Sequence, residues 1–194
     1  MRRLVFVLIG AVVSVSLAVV ALIGYVHVTG LESQSSPRVL ETRFARIVRG
    51  LAVPADVRTR PNPVLPSAEG LADGMAHFAD HCAGCHANDG SGDAEMGRGL
   101  YPKAPDMRLA PTQTLTDGEL FWFIEHGIRF TGMPAWSTGT VAGETSTWQL
   151  VHFIRHLPDL TDAEREAMRA MNPRPPADVR FEVEEERFLS QGEK

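Results

Sequence analysis

The chain has 194 residues, with 19 basic and 24 acidic side chains and a formal charge of −5. That length suits one domain plus attachments. The acidic balance speaks against a nucleic-acid partner: residues 61–194 carry 11 basic and 21 acidic side chains, or −10, and a surface of that sign is steered towards basic patches on partner proteins. It equally suits a solvated surface that keeps the domain soluble.

In chain order, residues Leu4 to Val28 contain no Asp, Glu, Lys or Arg. Twenty-five such residues are enough to cross a bilayer as a helix. Arg2 and Arg3 precede them and favour a cytoplasmic N-terminus. The stretch is longer than the apolar core of a signal peptide, and no A-x-A site follows. Residues 1–29 therefore read as an uncleaved transmembrane anchor. Between residues 30 and 66 two features follow. Leu40, Phe44, Ile47, Val48 and Leu51 recur at helical spacing, with arginines on the other face. Such an amphipathic helix either lies on a membrane surface with its arginines at lipid phosphates or packs on the domain that follows. Pro54, Pro61, Pro63 and Pro66 then mark an extended linker. Six arginines from Arg38 to Arg60 sit on what would be the outer side, which the positive-inside rule alone does not favour.

A helix is expected from Ser67, a capping residue, to His81. Gly74, Phe78 and Cys82 recur every fourth residue on one face, and the glycine permits a close helix crossing. That face leads into Cys82-Ala83-Gly84-Cys85-His86, which contains both cysteines of the chain. C-x-x-C-H is the attachment sequence of a c-type haem. Two thiols add to the haem vinyl groups, and the following histidine supplies an axial iron ligand. A thioredoxin-like pair would need a βαβ setting and no histidine. A zinc site would need two further ligands at suitable spacing.

Residues 87–115 read as a long Gly- and Pro-rich loop in which the prosthetic group stands in for missing core. Asp89, Ser91 and Asp93 resemble the start of a calcium loop, but the twelfth position is Leu100 rather than Glu. Thr116-Asp117-Gly118-Glu119 is a capping box opening a helix that ends near Gly127. Forty-seven residues beyond His86 lies Met133, in Thr131-Gly132-Met133-Pro134-Ala135-Trp136. Its thioether is the best candidate for the second axial ligand, a pairing that raises the reduction potential. Met107 is the nearest rival among the methionines, and His126 would be needed for a second histidine ligand. A further helix is expected from Glu144 to Leu157, stopped by Pro158. Thr161-Asp162-Ala163-Glu164 opens a short helix to Met171, and an acidic tail completes residues 159–194.

Gly74, Phe78, the C-x-x-C-H motif, Gly132-Met133-Pro134-Ala135-Trp136 and the run Trp148 to Leu157 together resemble the class I c-type cytochromes. They are most similar to the small membrane-anchored bacterial monohaem ones and to the cytochrome domains of cbb3-type complexes. The resemblance implies an all-α class I cytochrome c fold over residues 67–158. It implies one covalent haem c with iron, thioethers at Cys82 and Cys85, and axial ligands His86 and Met133. It also implies that Gly74 and Phe78 pack against Phe153, and that a proline carbonyl after the motif accepts a hydrogen bond from His86; Pro105 is the candidate, with Pro102 behind it. A His/Met pair leaves no open iron position, so no enzymatic turnover of a small-molecule substrate is expected. The expected role is one-electron transfer between a redox donor and acceptor, on the periplasmic side of a bacterial inner membrane. The alternatives are a dedicated subunit of a larger respiratory complex and a haem enzyme or sensor whose sixth position is open.

Overall fold

The computed structural model describes residues 2–173, apart from 31 and 34, together with residue 188. The acidic residues Glu182, Glu184, Glu185 and Glu186 lie outside the described residues. Helices are the only regular elements among those described. The chain divides into two units, residues 1–35 and 36–194.

The first unit is one helix, α1 (Arg2–Thr29). It is long and apolar enough to cross a membrane, and Val, Leu and Ile side chains are exposed along its length. The second unit opens with α2 (Val39–Ala52) and the single turn α3 (Ala55–Arg58). Next come α4 (Ala68–His77), a π-helical turn (Phe78–Cys82) and α5 (Ala83–His86). Two short helices, α6 (Glu95–Gly99) and α7 (Ala110–Gln113), lie in the segment expected to be a structureless loop. Then follow α8 (Asp117–His126), α9 (Val141–His156) and α10 (Asp162–Met171).

The helix starts follow from local chemistry. Ser67 accepts a hydrogen bond from the Gly70 amide at 3.0 Å. Thr116 and Thr161 each form a complete capping box with the glutamate three residues on. Helix α9 begins three residues before the expected Glu144, because Thr140 caps it through the Gly143 amide. The first turn of α9 carries an exposed Val141, so apolar periodicity gives no sign of it. Gly127 ends α8 with φ of 66°.

The core forms where α4 crosses α9. A Cβ on Gly74 would lie 2.5 Å from the carbonyl oxygen of Gln149 and 3.1 Å from Phe153 Cβ. Only glycine allows that approach. Beside it the Phe78 and Phe153 rings pack with centroids 5.2 Å apart, and both are almost wholly buried. The expected pairing of Gly74 and Phe78 with Phe153 is what the fold contains. The helix does not run evenly into the cysteine motif, however. The Ala83 amide donates to the Phe78 carbonyl, five residues back, and the inserted residue rotates everything after it. The Asn172 side chain, at the end of α10, donates to the Ala79 carbonyl within this turn at 2.8 Å.

The proline-rich segment is extended in part, but it is not an open tether. Val53 is buried. The Asn62 side chain donates to the Trp148 carbonyl at 2.9 Å, and His152 bonds the Val64 carbonyl at 2.8 Å. The Arg60 guanidinium sits 5.2 Å from the centroids of both Phe121 and Trp148, which stack on one another at 4.1 Å. Residues 53–64 thus form a strap laid over α8 and α9. Gly118 admits it: a Cβ there would lie 1.9 Å from the Val57 carbonyl oxygen. Gly118→Ala is therefore expected to lift the strap and cost about 1–3 kcal/mol. Denaturant unfolding of the detergent-solubilised chain should show the lower midpoint. Trypsin should gain access at Arg58; unchanged cleavage there would contradict the packing.

Candidate haem site

One apolar cavity opens between α5, the segment 100–107, α8 and the loop after α8. Its walls include Cys82, Cys85 and His86, together with Pro105, Met107 and Met133. Leu120, Ile124, Leu150 and Ile154 supply apolar surface from α8 and α9. The five residues proposed from the sequence for the site thus meet in one place.

Each is held by a different local device. The π turn and α5 present the two cysteines and His86. After His86 the chain reverses through Ala87, whose φ is 58°, and the Gly92 amide bonds the His86 carbonyl at 2.9 Å. The segment from 88 to 107 then folds back tightly over the motif. Here two glycines permit backbone contact: a Cβ on Gly97 would lie 2.0 Å from the Cys85 carbonyl oxygen, and one on Gly92 would lie 2.3 Å from that of Ala104. This brings Pro105 to His86. The His86 Nδ1 is buried and makes no hydrogen bond of ordinary geometry. Burial pushes the imidazole pKa down, and the Pro105 carbonyl acts in the opposite direction on the same ring.

Met133 sits in a self-bonded loop. The Thr131 hydroxyl donates to the Ile128 carbonyl at 2.7 Å and accepts from the Met133 amide at 3.1 Å. The Ile128 amide returns to the Met133 carbonyl at 3.1 Å. The loop ends against α8, where the Trp136 and Ser137 amides donate to the carbonyls of Ile124 and Glu125. These are C-terminal helix carbonyls that would otherwise lack partners. Glu125 itself is buried and accepts a hydrogen bond from the Thr147 hydroxyl at 2.6 Å, which joins α8 to α9 beneath the loop.

The rival ligands are placed elsewhere, with two exceptions. Met96 and His126 are exposed, and His126 stacks on Trp122 at 3.7 Å. Met168 is fully buried against the core away from the cavity. His77, His152 and His156 bond Ser146, the Val64 carbonyl and Glu164. Met107 and His81 do line the cavity. Met107 is buried, with its backbone amide fixed to the Gly90 carbonyl at 2.8 Å, and His81 meets the Trp136 ring edge-on at 5.4 Å. The sequence reading did not single out His81 or Trp136 as part of the site. Their positions beside Cys82 and three residues after Met133 were the only available signal.

The cysteines have the wrong environment for redox or metal chemistry of their own. Burial, reinforced by Cys85, pushes the Cys82 thiol up to about 12, and burial raises Cys85 as well. A thioredoxin-like pair needs the opposite shift. Among the described residues, no group of three His, Cys, Asp or Glu side chains is placed to hold a metal ion. Two neutral thiols and a half-buried imidazole facing an apolar cavity, with a thioether on another wall, are a donor set that fits a covalently attached haem. The site is thus that of a c-type cytochrome domain, which indicates an electron carrier. Residues 69–154 match the family model for cytochrome C oxidase, cbb3-type, subunit III; this segment is a cytochrome c domain carrying haem c with its iron.

Two arginine clamps hold the loops that shape the cavity. Arg155 of α9 reaches Asp117 Oδ1 at 2.8 Å and the Gln113 carbonyl at 2.9 Å. Arg108 bridges Asp106 at 2.8 Å and Asp89 at 2.9 Å, pinning the segment that carries Pro105 and Met107 to the turn after the motif. The hydrogen bonds and charge of Arg108 hold Asp106 below the usual carboxylate range. Burial pushes Asp89 up, but hydrogen bonds from Ser91 and the Arg108 charge outweigh it, and the net shift is downward. Both carboxyls are more acidic folded than unfolded. Their contribution is present above the unfolded pKa of about 3.9 and is lost as pH falls through the lower folded values. Arg108→Gln is expected to cost about 1 kcal/mol at pH 7 for these partly exposed pairs. Thermal unfolding across pH should show that deficit shrinking below about pH 4. A deficit independent of pH would mean Arg108 acts through packing alone.

Proposed function

We propose that this chain is a membrane-anchored monohaem cytochrome that carries single electrons on the periplasmic side of a bacterial inner membrane. In this reading Cys82 and Cys85 hold the haem by thioether bonds, and His86 and Met133 are its axial ligands. Residues 1–29 are the anchor, 30–66 a juxtamembrane segment, 67–158 the haem domain and 159–194 a C-terminal extension. The observation that carries the reading is the convergence of Cys82, Cys85, His86, Pro105 and Met133 on one apolar cavity. The chain has no third cysteine for a second attachment site.

When bound, the haem iron takes up or gives up one electron. The protein's residues set the terms. The Pro105 carbonyl, which acts on the His86 ring, would orient the imidazole and raise its basicity on accepting a hydrogen bond from Nδ1. The soft Met133 thioether favours the reduced iron. The apolar walls from α8 and α9 exclude water. The acidic surface steers basic faces of partner proteins towards the domain. A periplasmic placement is supported by covalent haem attachment, which in bacteria takes place on that side.

The description of the matched family favours a second reading, in which the chain is a dedicated subunit of an oxidase complex. Purification in a mild detergent separates the two: a stoichiometric partner set supports the subunit, and a chain recovered alone supports the free carrier.

The test of the site is spectroscopic. The full chain, matured in a strain that attaches c-type haem, is expected to give a low-spin spectrum with the weak long-wavelength band of sulfur ligation to ferric iron. Met133→Ala is expected to abolish that band, lower the reduction potential and admit carbon monoxide. A band that survives Met133→Ala but not Met107→Ala would transfer the ligand role to Met107. An unaltered spectrum in both variants would leave the open-site enzyme or sensor in place of the carrier.

A further inference from the structure

Helix α2 is packed the wrong way round for a helix of a water-soluble domain. Its contacts with the rest of its unit are made by its polar side. The Arg49 guanidinium lies 5.2 Å from the Phe123 ring centroid, the Tyr101 hydroxyl donates to Glu41, and Arg58 donates to the Gly50 carbonyl. Thr42, Arg49 and Gly50 are its only partly covered residues, and none is buried. At about 100° per residue, the stripe of Leu40, Phe44, Ile47 and Leu51 falls on the opposite side. It is bare: Leu40 and Leu51 are each 79% exposed and Phe44 is 70% exposed. A contiguous apolar stripe of this kind needs a cover.

Two observations say what the cover is. First, α1 ends at Thr29 and α2 begins at Val39. The nine intervening residues span at most about 30 Å, so the start of α2 lies within a membrane-accessible distance of the end of α1. Second, Arg43 borders the apolar stripe and Arg46 lies beyond it, both exposed, while Arg38 stands at the helix start. An apolar face bordered by one arginine, with further arginines on the helix and at its start, suits a helix lying in a headgroup layer, its apolar side chains inserted and its guanidinium groups reaching phosphates. We propose that α2 lies in the interface of an anionic phospholipid bilayer, apolar stripe down, and is a second, peripheral membrane contact. Because Phe123 lines the haem cavity and Tyr101 lies between the lining residues Leu100 and Pro102, this contact holds the cavity rim near the membrane surface. The open side of the cavity would then be offered to partners embedded in the same bilayer. The proposal rests on α1 spanning the membrane, and the test separates the two claims.

The full haem-loaded chain, with the haem reduced, is reconstituted in vesicles of phosphatidylcholine and phosphatidylglycerol. A nitroxide is attached in turn at Phe44→Cys, Leu51→Cys, Val13→Cys in α1 and Glu166→Cys in α10. Each label's relaxation by oxygen, which partitions into lipid, is compared with that by a water-soluble nickel chelate. Positions 44 and 51 are expected to favour oxygen several-fold, between the values at 13 and 166. In Arg43→Gln/Arg46→Gln the dependence of that ratio on phosphatidylglycerol should disappear. Nickel access at 44 and 51 equal to that at 166 overturns the proposal and leaves the anchor intact. Protection from both reagents also overturns it, since the cover would then be a second copy of the chain. An aqueous signal at position 13 overturns the anchor and the interfacial helix together. Absorption spectra of each labelled variant confirm an intact haem environment.

Discussion

The structure depends on the contact of two backbones at Gly74. Helices normally meet through side chains, with axes 8–10 Å apart. Here the missing Cβ lets α4 touch the Gln149 carbonyl of α9 directly. That contact fixes more than a packing angle. Helix α4 leads through the π turn into the cysteines and His86, and α9 carries Leu150 and Ile154 to the wall of the same cavity. Phe78 and Phe153 fill the angle beside the crossing, and Leu157 and Met168 extend the buried layer beyond it.

Away from this crossing the domain is short of core. The segment from 87 to 115 holds two helices of four and five residues, too short to be stable alone. It is shaped by backbone proximity and by charge. Gly92 and Gly97 bring strands of loop to within contact of Ala104 and Cys85. Arg108 and Arg155 then bind carbonyls and carboxylates that no regular element satisfies. The haem supplies the apolar mass that a domain of this size otherwise draws from side chains. This explains how the loops can be long.

Much of this was legible in the sequence, because the signals were local. The five residues from Cys82 to His86 specify an attachment chemistry by themselves. Ser67, Thr116 and Thr161 mark helix starts through side chains that reach only three residues. What escaped was decided at a distance. The strap's prolines announce extended backbone, but its docking is decided by Gly118, Trp148 and His152, far along the chain. The π turn has no sequence mark, since the extra residue differs from its neighbours only in how the Phe78 carbonyl is used. The glycines of the loop carry no local mark of what they touch, yet Gly97 is where one backbone lies against another. The start of α9 was missed because Thr140 caps a turn whose side chains face water.

The docked strap also changes how such a carrier finds its partners. Had residues 53–66 been free, the anchor would have held the haem domain on a long arm. A long arm lets a head travel between a donor and an acceptor while the anchor stays still. With residues 53–64 docked on α8 and α9, the strap adds nothing to the reach of the haem domain, and nine residues of sequence separate the end of α1 from the start of α2. Nine residues reach at most about 30 Å even when fully extended. If the chain is a free carrier, its search for partners is lateral diffusion of the whole molecule in two dimensions. Electron flow through it would then scale with the surface density of partners and with membrane viscosity, as a collision rate does, and not with the rocking of a head on a fixed stalk.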